Sequence, residues 1–165
     1  MIPLMKNTFL NEYETKAALA EFILKSSRLS MGEYCFEFEK QFASFQKSND
    51  AVLFNSGGSA NLALIQSLKN LGRLKHGDKI GFSALTWSTN VMPIIQMGFV
   101  PVPVDVEPIT LNVMCENLKD THKDIKLNAF FTTNVLGFAG DLDNIKEYCK
   151  NNDIILIEDN CESLG

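Results

Sequence analysis

The chain has 165 residues, 45% of them hydrophobic and 21% charged, which is enough for one domain with its own core. A formal net charge of −5, with no basic block, argues against a nucleic-acid surface but leaves room for one anionic ligand in a local pocket. No apolar run approaches the ~20 residues a membrane span needs, and the start MIPLMKNTFLNEYE lacks the pattern of a signal peptide, so a cytoplasmic chain is expected.

The first 50 residues read as a helical segment. Leu19, Phe22 and Ile23 fall on one helix face, a turn is expected near Ser30-Met31-Gly32, and Phe38, Phe42 and Phe45 mark a second amphipathic helix. From Ala51 onward, short apolar runs alternate with helical stretches. Strands are predicted at 51–54, 79–82, 100–104, 128–132 and 154–157. Helices are predicted at 59–71, 88–97 and 141–150, the last with Asp141 as N-cap and Leu142, Ile145 and Cys149 facing inward. Pro101 and Pro103 remove ladder donors and push the third strand toward an edge. This alternation predicts an α/β fold with a mostly parallel sheet and helices on both faces. Ligands of such sheets sit at the carboxyl ends of the strands.

Cys35, Cys115, Cys149 and Cys161 form no C-x-x-C pair and share no metal-ligand spacing with His76 or His122, so free thiols and no metal are expected.

Three strand ends carry candidate chemistry. After Phe54, the turn Asn55-Ser56-Gly57-Gly58-Ser59 leads into a helix, either as a phosphate cradle or as a plain Ser-capped turn. Its glycine spacing is not that of a dinucleotide or Walker loop. After Phe82, Trp87, the only tryptophan, is placed to stack on a flat ring or to fill the core. After Ile157, Glu158 and Asp159 close an apolar strand, where a carboxylate suits a cationic ring nitrogen, a metal, a ribose hydroxyl or a helix cap. Asn134 and Gly137 follow the fourth strand, and a turn-stabilising role suits them. An anion cup, an indole and a carboxylate together suit pyridoxal 5′-phosphate (PLP) better than a nicotinamide dinucleotide.

The stretches LSMGEYCFEFEKQFASF, NSGGSANLAL, LTWSTNVMPIIQMGFVPVPVDVEP, TNVLGFAGDLDNI and IILIEDNCESLG, in this order, resemble the DegT-type nucleotide-sugar aminotransferase family, PLP enzymes of fold type I. The resemblance implies that Gly58 and Ser59 hold the cofactor phosphate through backbone amides. It implies that Trp87 stacks on the pyridine and that Asp159 pairs with its ring nitrogen. Glu162 takes a position near the ring hydroxyl where many relatives have Gln. Gly58 replaces the usual Ser or Thr, and Asn134 stands where many members have His.

The implied activity is transfer of an amine from an amino acid, typically glutamate, to a nucleotide-linked keto-sugar in surface-polysaccharide or amino-sugar synthesis. One branch of the family carries histidine in place of the cofactor-anchoring lysine and dehydrates a deoxysugar instead. A binding module without catalysis is a third possibility. No lysine here matches the anchoring motif, so the resemblance implies that residues 51–165 are part of the PLP-binding large domain. The remainder of that domain and a C-terminal small domain would follow, and the 165 residues alone would be inactive. It also implies a homodimer.

Overall fold

The computed structural model describes Asn7 and residues 9–164. They form two compact units, Met1–Leu53 and Phe54–Gly165.

The first unit contains α1 (Glu12–Lys25) and α2 (Glu33–Phe45). They are joined through bends at 29–32, where Met31 takes a positive φ of 51°. The predicted phenylalanine stripe forms along α2. Phe38 and Phe42 stack at 5.6 Å and Phe42 meets Phe45 at 6.4 Å, while the ring of Phe22 meets Tyr34 edge-on at 5.2 Å. Ala51–Phe54 is extended but pairs with no strand among the described residues, so the predicted first strand is absent from the ladder. A strand exists only through its neighbour's hydrogen bonds, and propensity alone does not supply them.

The second unit holds α3 (Gly57–Asn70), β1 (Lys79–Ser83), α4 (Ser88–Gln96), β2 (Val100–Val104), α5 (Cys115–Asp124), β3 (Ala129–Thr133), α6 (Leu142–Asn151) and β4 (Ile155–Asp159). The four strands run parallel in the order β2-β1-β3-β4. The proline-bearing β2 lies at one edge, as its missing donors require.

Consecutive side chains of β3 point to opposite faces and separate two cores. Phe130 packs with Val104, Leu118, Ile145 and Cys149 beneath α5 and α6. Ala129 and Phe131 pack with Ile65, Ile80, Ile94 and Ile157 beneath α3 and α4. Helices therefore cover both faces. On β1, Gly81 keeps the first core tight, since an added Cβ would lie 2.8 Å from Cδ1 of Leu127 and 3.1 Å from the Phe130 ring.

Asp141 occupies the N-cap position of α6 but makes no side-chain cap bond. Its carboxylate accepts instead from the amide of Cys115 at 3.3 Å and from the Asn144 side chain, tying α6 to the start of α5.

Candidate functional site

The strand order places β1 between β2 and β3, so the connections leave β1 in opposite directions. The crevice outside the carboxyl ends of β1 and β3 is where a parallel sheet of this type accepts ligands. Ser83 and Thr133 end those strands, and the hydroxyls of Thr86 and Thr133 meet across the crevice at 2.6 Å.

The anion turn stands beside this crevice. Ser56 caps α3, accepting from the Ser59 amide at 3.2 Å and bonding the Ser59 hydroxyl at 3.1 Å. The amides of Gly57 and Gly58 belong to the first turn of α3 and have no helical acceptor, so they remain available at its positive end. The Ser59 amide is taken up by its cap. Space above the turn is open, with nothing within 4 Å of a Cβ placed on Gly57. Gly58 stands against α4, its Cβ position lying 3.6 Å from Cγ2 of Thr89. A turn with free amides, hydroxyls and no blocking side chain fits a phosphate.

Trp87 precedes α4 at its N-cap position, with the side chain 62% exposed. It is an accessible indole at the rim and not a core residue.

Asp159 ends β4 and lies opposite Thr133 in the ladder, which brings it to the same rim. One carboxylate oxygen accepts from the Cys161 amide at 3.1 Å, and the Asp159 carbonyl accepts from the Asn134 amide at 3.3 Å. Partial burial and the carboxylates of Asp159 and Glu162 push the Cys161 thiol up to about 11.

Glu162 reaches away from the crevice centre. Its Oε2 accepts from the Leu136 amide at 2.7 Å and holds the short 3-10 turn Val135–Gly137. Asn134 is buried and donates to Oδ1 of Asn160, which joins the segment after β3 to the one after β4.

The structure thus gathers Gly58, Ser59, Trp87 and Asp159 along one rim and gives Glu162 a turn-holding contact. The sequence reading passed over Asn61, Asn90, Thr86 and Thr133, which connect these pieces. Two of them could have been suspected from polar residues at positions whose neighbours are apolar. The described residues contain no His, Cys, Asp and Glu cluster able to hold a metal, and no helix long and apolar enough to cross a membrane. Among the four free thiols, Cys115 and Cys149 are buried.

A GDP-4-keto-6-deoxy-D-mannose 3-dehydratase of Escherichia coli O55:H7 is 40% identical over 99% of this chain, which covers 42% of that enzyme. A GDP-perosamine synthase of Vibrio cholerae is 30% identical over 82% of the chain and 36% of its own length. A crystal structure of a GDP-4-keto-6-deoxymannose-3-dehydratase, with a trapped PLP–glutamate geminal diamine, superposes with a TM-score of 0.87 at 40% identity, over 100% of this chain and 42% of that one. The chain spans less than half the length of each of these proteins. The model of the DegT/DnrJ/EryC1/StrS aminotransferase family matches residues 11–165, and the chain belongs to that family.

Proposed function

We propose that this chain forms the cofactor-holding rim of a PLP-dependent enzyme that modifies a nucleotide-linked keto-sugar. The observation that carries this reading is the convergence of free α3 amides, the Trp87 indole and the Asp159 carboxylate at one crevice of a parallel sheet. PLP, when bound, supplies an electron sink for chemistry beside a carbonyl. The amides of Gly57 and Gly58 and the hydroxyl of Ser59 hold its phosphate. Trp87 covers one face of its ring. Asp159, fixed through one oxygen by the Cys161 amide, keeps the other for the protonated ring nitrogen. Glu162 acts through the Val135–Gly137 turn and not by direct contact.

For the whole protein we favour removal of the 3-hydroxyl from a GDP-linked 4-keto-6-deoxyhexose. Identity of 40% to a dehydratase against 30% to a perosamine synthase supports it. Amine transfer from glutamate to the same class of keto-sugar is the second reading, supported by the family match. A homodimer is proposed for the whole protein on the family resemblance.

The cofactor reading is tested by titrating the chain with PLP and following its absorbance. A red-shifted bound spectrum is expected, with affinity falling roughly tenfold or more in Asp159→Asn, as loss of a charged hydrogen bond requires. A folded chain that leaves the free-PLP spectrum unchanged sinks it. The reaction is decided on the full-length gene product with GDP-4-keto-6-deoxymannose, PLP and glutamate. A deoxygenated sugar without nitrogen supports dehydration, and an amino-sugar supports transfer.

A further inference from the structure

Asn90 is a fully buried polar residue of α4 that the cofactor reading does not use, yet every polar atom of its side chain has a partner. It lies in a relay running from α3 to the loop that carries Trp87. The Asn61 Nδ2 donates to the Thr89 carbonyl at 3.2 Å and to Oδ1 of Asn90 at 3.2 Å. The Asn90 Nδ2 donates to Oγ1 of Thr133 at 3.0 Å, and Thr133 meets Oγ1 of Thr86 at 2.6 Å.

The direction of these bonds is set from one end. Pro93 lies inside α4 and has no amide hydrogen, so the carbonyl four residues earlier, that of Thr89, lacks its helical donor. A carbonyl only accepts, so the Asn61 side chain must turn its nitrogen toward it. Asn90 must then present its oxygen to Asn61 and its nitrogen to Thr133. Thr133 is 2% exposed, and its own hydrogen has one acceptor in reach, the hydroxyl of Thr86. Thr86 therefore accepts, and its hydrogen is left to point out of the relay. The Thr133 amide donates to Ser83 at 3.1 Å, which fixes both strand ends.

We propose that Asn90 and Thr133 are positioning residues that hold the Trp87 loop and the anion turn in one frame, and that Thr86 presents its hydroxyl hydrogen to an oxygen of the cofactor. The second half rests on the PLP reading; the first half does not. Thr86 is half-buried and immediately precedes Trp87, so its free hydrogen lies at the mouth of the crevice beside the indole. An outward donor at the end of a relay whose other atoms are all satisfied needs an acceptor from water or ligand.

The experiment uses the 165-residue chain and four variants. Trp87 is its only tryptophan, so fluorescence anisotropy reports that loop alone. In the ligand-free protein, Thr133→Val is expected to lower the anisotropy of Trp87 while leaving far-UV circular dichroism unchanged. Thr86→Val is expected to weaken PLP binding, titrated by absorbance, roughly tenfold, with Thr86→Ser restoring it to within about threefold. Unchanged anisotropy in a folded Thr133→Val chain overturns the positioning role. Equal PLP affinity in Thr86→Val and the parent overturns the donor role. Should Thr133→Val fail to fold, Asn61→Ala, at the partly buried end of the relay, carries the anisotropy comparison with the same two outcomes. A parent chain that takes up no PLP defeats the cofactor reading and the donor role with it, while the anisotropy comparison still decides the positioning role.

Discussion

A Cβ placed on Gly137 would lie 2.7 Å from the carbonyl oxygen of Glu162. The two residues lock the segment after β3 onto the segment after β4. Gly137 holds a φ of 81°, which other residues adopt at a cost, and Leu136 before it is also at positive φ, 57°. Gly137→Ala is expected to destabilise the fold by ~1–3 kcal/mol, read from the urea midpoint. Glu162→Gln is expected to cost less, because its amide oxygen still accepts from Leu136. A Gly137→Ala midpoint equal to the parent's would show that the contact relaxes freely.

Cys161 combines exposure with a thiol pushed up to about 11 from an ordinary 9.0. At pH 8 its thiolate is depleted roughly hundredfold against an unperturbed thiol, since each pKa unit is a factor of ten. Disulfide-exchange labelling of the native chain is expected to find Cys161 slow despite its accessibility. Asp159→Asn removes one of the two neighbouring carboxylates and is expected to accelerate it. Rapid labelling of the parent at Cys161 would contradict the carboxylate geometry at the end of β4.

His122 is buried, and its Nδ1 accepts from the Leu127 amide at 3.1 Å, so its neutral form carries the contact. Burial first, and then Lys126, hold its pKa below the ordinary 6.5. The unfolded chain thus binds the proton at a higher pH than the folded chain does. The stability from neutral His122 is fully present above about pH 6.5, and it is lost as pH falls from there toward the lowered folded pKa. The thermal midpoint of the parent is expected to drop more steeply between pH 7.5 and 5.5 than that of His122→Gln. Parallel slopes would refute the assignment.

Gly81→Ala tests the central packing. The new methyl meets Leu127, Phe130 and Val104 at 2.8, 3.1 and 3.3 Å in a strand with neighbours on both sides. Overpacking there is expected to cost ~1–3 kcal/mol by denaturant unfolding. A neutral effect would mean that Leu127 swings aside at no cost.

The sheet was legible where apolar runs met turn residues. The edge placement of β2 could be read from Pro101 and Pro103 alone, because ladder donors are a matter of covalent chemistry. Helix α5 was missed: only Cys115, Leu118 and His122 face inward, and two of those three are not recognisable hydrophobes in a pattern search. The strand at Ala51–Phe54 failed for the opposite reason, since local propensity was present but no partner strand was. At the site, the rim residues were found from their places at strand ends. Glu162 was not placed correctly, because its contact with the Leu136 amide depends on a turn that the sequence does not specify. The Asn61–Asn90–Thr133 relay was invisible for a related reason: its members lie far apart in the chain and carry no motif of their own.

Pro93 bears on any attempt to engineer this molecule. A design protocol seeking heat resistance would replace a proline in a helix interior first, since removing it typically improves a helix by a few kcal/mol. Here the regained amide would compete with Asn61 for the Thr89 carbonyl and loosen the constraint that orients Asn90. Thermal robustness and the readiness of the crevice for its ligand would then move in opposite directions, so a screen on melting temperature alone would select the wrong clones.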